Sequence, residues 1–183
     1  ADLIKDAYDG TGYFKDNICN GYKAVAALYT EACQIVVKAN SGIKSIDDLQ
    51  GRKVSIGAKE SGTEINANQI LEFSGLNSKL VNMVNLDYTD AAKQLAEGKI
   101  DAFFCTAGLQ TTVISELTKE CSIRILSIDD KCIKKLLTAY PCYSKYEIPA
   151  NTYAGQSENV TTIGVKSVLL ASDSLSENAV KQF

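Results

Sequence analysis

Between residues 41 and 140 the sequence alternates short β-branched runs with amphipathic stretches, and that alternation limits the fold more than any other feature. The run 45–51 reads as a short helix, with Ser45 able to cap, Asp47 and Asp48 suited to the positive end and Gly51 as the stop. Residues 53–57 read as a strand, and the glycine-containing loop 58–62 opens a helix to residue 73 with Ala67, Ile70 and Leu71 on one face. Residues 81–86 read as a strand, and Thr89 caps a helix presenting Ala91, Ala92, Leu95 and Ala96. Residues 100–105 are the next strand, 110–118 a helix, 123–128 a strand and 129–140 a helix carrying Cys132, Ile133, Leu136 and Leu137. Helix-strand alternation of this kind predicts an α/β fold with mainly parallel strands, because each crossover must bring the chain back to the same end of the sheet.

The flanks differ. Residues 7–21 hold three glycines and read as loop and turn. The apolar runs 22–29 and 33–38 read as buried strands, or as one long strand with a bend. Residues 141–156 read as irregular and Tyr-rich, and 160–171 as a long strand. Behind it comes a helix start with Ser174 and Glu177 at capping-box spacing. The organisation predicted is a compact lobe over 41–140 and a second, incomplete lobe made of 1–40 and 150–183. Crossover segments at 30–40 and 141–160 join them, and the chain is expected to be a piece of a longer protein.

Composition narrows the function. Apolar residues make up 45% and charged residues 22% of 183, so the chain can bury a core. The net charge of −3 offers no basic footprint for nucleic acid. No apolar run approaches the ~18 residues of a membrane span. The absence of His excludes Ser-His-Asp and Cys-His catalysis and any mixed Cys/His zinc site. The six cysteines form no C-x-x-C pair. Their even number permits disulfides, but most sit in apolar runs and read as small buried hydrophobes. No nucleophile is paired with a base, so no catalytic residue, metal site or cofactor is expected.

The strongest local feature is Gly57-Ala-Lys-Glu-Ser-Gly-Thr-Glu64. It follows a strand and opens a helix, where unpaired N–H groups and the hydroxyls of Ser61 and Thr63 favour an anion such as a carboxylate or phosphate. Ser61 and Glu64 also have capping-box spacing, which gives a purely structural alternative. The loop lacks the Lys that a phosphate-binding P-loop requires after its second Gly. Thr106-Ala107-Gly108, just past a strand, should lie at the same edge of the lobe, where open α/β sheets bind ligands. Ordinary strand-to-helix turning explains those residues equally well. Tyr8, Gly10 and Thr11 lie in a small, polar, aromatic turn, and Tyr29 ends an apolar run where it can be core or can aim a phenol at a ligand.

Taken in order, several segments resemble the TAXI family of solute receptors for tripartite, TRAP-type transporters. They are Ala7-Tyr-Asp-Gly-Thr-Gly12, Ala24-Val-Ala-Ala-Leu-Tyr29, Gln34-Ile-Val-Val37, Ser41-Gly-Ile-Lys-Ser45 and Asp48-Leu-Gln-Gly51. Val54-Ser-Ile-Gly-Ala58, Ser61-Gly-Thr-Glu64, Gly98-Lys-Ile-Asp-Ala102, Thr106-Ala-Gly108, Tyr140-Pro141 and Ile148-Pro-Ala150 follow. The resemblance implies a type II periplasmic-binding-protein-like fold of two α/β lobes with a ligand in the cleft and no catalysis. It implies an extracytoplasmic receptor that captures a small organic anion, such as glutamate or a related dicarboxylate or 2-oxo acid, and delivers it to membrane permease subunits. By the match, Tyr8, Gly10 and Thr11 come from the incomplete lobe and Tyr29 lies near the hinge. Ser61, Gly62, Thr63 and Glu64 anchor a carboxylate, with Thr106 and Gly108 opposite. A ligand-sensing effector module of a regulator shares such a fold and is the alternative.

Overall fold

The computed structural model describes residues 2–15 and 17–182; expectations touching Ala1, Asp16 and Phe183 lie outside the described residues. In chain order the elements are α1 (Asp2–Asp9), β1 (Tyr22–Lys38), β2 (Lys53–Ser55), α2 (Gly62–Phe73), β3 (Asn82–Val84), α3 (Tyr88–Ala96) and β4 (Ala102–Ala107). There follow α4 (Thr112–Glu120), β5 (Ile123–Ile125), α5 (Asp130–Ala139), β6 (Tyr143–Ile148), β7 (Val160–Ser172) and α6 (Glu177–Lys181).

The strands form one seven-stranded sheet in the order β3-β2-β4-β1-β7-β6, with β5 also paired to β1. Strands β2, β3 and β4 run parallel, as the alternation predicts. β1 runs antiparallel to β4, β5 and β7, which makes the sheet mixed.

Side chains alternate across the pleat, so adjacent residues feed opposite cores. Ile35, Val37, Val54 and Phe104 face the layer of α2 and α5, packing with Ile70, Leu71, Ile133 and Leu136. Val36, Phe103 and Cys105 face the layer of α3 and α4, packing with Ala91, Leu95, Ile114 and Leu117. The inner part of β1 and most of β4 are buried on both faces because helices cover both sides, which is why they lack the alternation of a half-exposed strand.

Several local expectations are corrected. The α3 cap is Asp87, whose Oδ1 accepts from the Asp90 N–H at 2.9 Å, and Thr89 lies inside the helix. Residues 45–51 form only a 3₁₀ turn at Asp47–Leu49. There Asp48, not Ser45, gathers the donors, accepting from the N–H groups of Lys44 and Ser45 and from the Ser45 hydroxyl. The C-terminal helix is capped by Ser176 rather than Ser174. In each case a neighbouring Asp or Ser with the same capping chemistry competes, and backbone geometry chooses between them. The segment read as irregular contains β6, an edge strand in which Tyr143 and Ile148 are buried while Ser144, Lys145 and Glu147 face solvent. Its polar outer positions hid it, as charged edge strands do.

The two apolar runs of the first flank are one strand, β1, yet only its inner part is buried. Residues Tyr22–Thr30 pair with Lys166–Ser172 as a two-stranded ribbon with register shifts at Ala24/Ala26 and Ala27/Thr30. Val25, Leu28, Tyr29, Leu169 and Leu170 remain exposed along it. Helix α1, whose residues 7–9 fall in the stretch expected to be loop, rests on the ribbon through the Tyr22 hydroxyl, which donates to the Ile4 carbonyl at 2.9 Å.

The cysteines divide by burial. Cys33, Cys105 and Cys132 are buried, as expected of small hydrophobes, whereas Cys19 is exposed. Burial pushes the Cys105 thiol up to about 12. At neutral pH a thiol reagent is therefore expected to label Cys19 first and to reach Cys33, Cys105 and Cys132 only when the chain unfolds. Peptide mass spectrometry after brief labelling checks this, and early labelling of Cys105 would contradict the packing.

Candidate functional site at the start of α2

The chain leaves β2 at Ser55 and turns through Gly57, whose φ is +97°. A Cβ added at Gly57 would lie 2.8 Å from Thr63 Cβ and 3.1 Å from Ser61 Oγ, so this turn requires glycine for both its angle and its closeness. Glu60 then takes a left-handed conformation at φ 61°. Ser61 caps α2 by accepting the Glu64 N–H at 3.2 Å.

The capping box expected here is present in altered form. Glu64 is buried, and its Oε2 accepts from the N–H of Glu60, one residue before the cap, at 2.6 Å. Its Oε1 accepts from Asn85 Nδ2 at 2.8 Å. The same Asn85 amide donates to the Gly57 carbonyl at 3.1 Å, tying both ends of the loop to the turn after β3. After the cap and Glu64 are accounted for, the N–H groups of Gly62 and Thr63 have no partner among the described residues. Two free donors at the positive end of a twelve-residue helix are the elements of an anion site.

The 106–108 loop reaches the same edge. Thr63 Oγ1 and Tyr88 Oη are 2.5 Å apart, and Tyr88 Oη donates to the Thr106 carbonyl at 3.0 Å. Burial pushes the Tyr88 phenol above its ordinary range, so it keeps its proton at neutral pH. Thr106 Oγ1 is buried without a partner among the described residues. The Tyr29 ring lies beside Gly108, 3.7 Å from where a Cβ there would stand, although Tyr29 itself is 55% exposed.

The structure thus brings Ser61, Gly62, Thr63, Glu64, Thr106, Gly108 and Tyr29 to one edge, where the parallel strands β2 and β4 end. It places Tyr8, Gly10 and Thr11 elsewhere. Tyr8 stacks edge-on against Tyr22 with centroids 6.4 Å apart, at the far end of the ribbon from Tyr29. Seven residues of strand separate Tyr22 from Tyr29, up to roughly 23 Å at about 3.3 Å per residue. Tyr8 there lines a cavity of about 480 Å³ with Ile4, Lys5, Asp9 and Tyr22. The Thr11 hydroxyl donates to Asp6 at 2.9 Å.

Sequence reasoning missed Asn85 and Tyr88. Both follow β3, the second strand of the alternating region, whose carboxyl end points to the same edge as those of its parallel neighbours β2 and β4. That position was the available signal.

Among solved structures, a periplasmic sulfonate-binding protein of Methylobacillus flagellatus KT superimposes with a TM-score of 0.51 at 21% identity, over 89% of this chain and 38% of that protein. The periplasmic aliphatic sulphonate-binding protein of Escherichia coli gives a TM-score of 0.49 at 19% identity, over 79% of this chain and 40% of that one. The chain therefore spans about two fifths of the length of these proteins. The first of the two shows the fold as periplasmic-binding-protein-like α/β. A family match extending from residue 1 to residue 183 settles the kinship, and the chain belongs to the NMT1-like family.

Proposed function

We infer that the chain is part of an extracytoplasmic solute-binding receptor that holds a small organic anion where α2 begins. The single observation that carries this reading is the pair of N–H groups, Gly62 and Thr63, without a partner among the described residues, at a helix start packed against the end of β4. An anionic oxygen meets there both hydrogen-bond donors and the positive end of the helix. The chemistry is binding rather than catalysis. The site's ionisable groups, Glu64 and Tyr88, are engaged in hydrogen bonds that hold the loops together.

In this reading 41–140 is one lobe, 1–40 and 150–183 contribute to another, and the segments 30–40 and 141–160 cross between them. The exposed ribbon belongs to the second lobe, and Tyr8, Gly10 and Thr11 reach the ligand only if the lobes close. The motif order favours a TRAP-type receptor of the TAXI kind for glutamate or a related dicarboxylate or 2-oxo acid, working with membrane permease subunits. The sulfonate-binding fold relatives favour an ABC-type receptor with a different anionic headgroup. Both are transport receptors, and they part at the ligand.

A ligand that binds only the folded state raises its stability by mass action, by about 2.7 kcal/mol at a hundredfold excess over Kd. Thermal unfolding of the full-length protein should therefore shift upward with glutamate or 2-oxoglutarate if the TAXI reading holds, and with an alkanesulfonate if the ABC reading holds. No shift with amino acids, dicarboxylates, 2-oxo acids or sulfonates overturns the receptor reading.

A further inference from the structure

The hydrogen-bond chain Thr63–Tyr88–Thr106 has a direction. A carbonyl only accepts, so the 3.0 Å contact to the Thr106 carbonyl uses the one proton of the Tyr88 phenol. The 2.5 Å contact between Thr63 Oγ1 and Tyr88 Oη must then use the proton of Thr63. Thr63 is left with lone pairs only, beside two backbone N–H groups that can only donate. Its side chain is held in this arrangement by packing, since the residue is 5% exposed. The same phenol links two loops that arise from different strands, and the loop it holds at β4 also carries the buried Thr106 hydroxyl, which has no partner among the described residues.

We propose that Tyr88 is the positioning and specificity-setting residue of this site, fixing Thr63 as an acceptor so that the site selects an anion bearing a donor group beside its charged oxygen. The inference rests on the receptor reading above and narrows it to amino or hydroxy acids over 2-oxo acids. An ammonium or hydroxyl finds lone pairs at Thr63, whereas a keto oxygen in the same place faces lone pairs with no proton between them.

L-Glutamate and 2-oxoglutarate differ at that one carbon and serve as the probes. Calorimetric Kd values are measured for the full-length wild type and for Tyr88→Phe, which keeps the ring and frees the Thr63 proton. The wild type is expected to prefer glutamate, and Tyr88→Phe to reduce that preference by about tenfold, the worth of one hydrogen bond, with 2-oxoglutarate gaining in absolute affinity. Thr63→Val, which removes the acceptor and keeps the shape, should flatten the preference in the same way. A purely structural tyrosine would weaken both ligands equally, so an unchanged ratio in Tyr88→Phe overturns the proposal even where both acids bind. A wild-type preference for the oxo acid overturns it too. If the wild type binds neither acid, the receptor reading for these ligands fails first, and the inference fails with it.

Discussion

Replacing Phe104 with alanine is expected to lower the unfolding free energy by about 3–5 kcal/mol. Phe104 has no exposed surface and lies in β4, flanked by β1 and β2, in the core shared with α2 and α5. Truncation loses the transfer energy of the ring and leaves a cavity that two sheet neighbours and two helices cannot collapse into without shifting. At about 2–4 °C of midpoint per kcal/mol for a chain of this size, thermal or urea unfolding resolves the loss easily. Leu28→Ala is the control. Leu28 is 55% exposed on the ribbon, so its truncation should stay within about 0.5 kcal/mol. Equal losses at the two positions would mean that the ribbon, rather than the β4 core, carries the stability.

Substituting Gly57 with alanine should damage both stability and the proposed site. The left-handed backbone costs about 1–3 kcal/mol for a residue with a Cβ. Crowding adds a further amount of about 1–3 kcal/mol, because the new methyl would stand 2.8 Å from Thr63 Cβ and 2.9 Å from its Cγ2. The crowded atoms belong to the first turn of a buried helix, so relief requires moving α2 away from the turn. That movement displaces the Gly62 and Thr63 N–H groups and pulls Thr63 away from Tyr88. Gly75 separates the two costs. Its φ is +83°, and nothing lies within 4 Å of a Cβ there. Gly75→Ala should show the strain alone and leave ligand affinity intact, whereas Gly57→Ala should show strain, crowding and lost affinity. If the two variants match in stability and binding, the close packing at Gly57 has no functional consequence.

Much of the site was legible because it is built from local rules. Ser61 caps α2 as its spacing with Glu64 suggested, since the cap involves only residues within one turn. The free N–H groups follow from the helix start itself. That the 57–64 and 106–108 loops share an edge followed from parallel strands ending together, which the helix-strand alternation fixed. Capping choices were less secure. Asp87 against Thr89, and Asp48 against Ser45, are pairs of chemically similar residues whose roles are decided by where the backbone turns.

Tyr88 and Asn85 were not legible for a different reason. Their partners, Thr63, Thr106, Gly57 and Glu64, are 18 to 28 residues away in sequence, and nothing in the local pattern of 85–88 announces them. The separation of Tyr8 from Tyr29 belongs to the same class. The motif order put both at a ligand, while the length of the ribbon sets them apart in the arrangement described.

By itself, then, the sequence determined the α/β class, the Ser61-capped start of α2 and the exclusion of imidazole chemistry. Periodicity, capping and composition act over a few residues and can be read in one dimension. Tertiary structure alone decided that β1 is half core and half exposed ribbon, that β6 joins the sheet as its edge, and that a single phenol fixes which way Thr63 points its proton. Each of these depends on what packs alongside from distant parts of the chain, and burial, pairing and hydrogen-bond direction exist only once those parts have met.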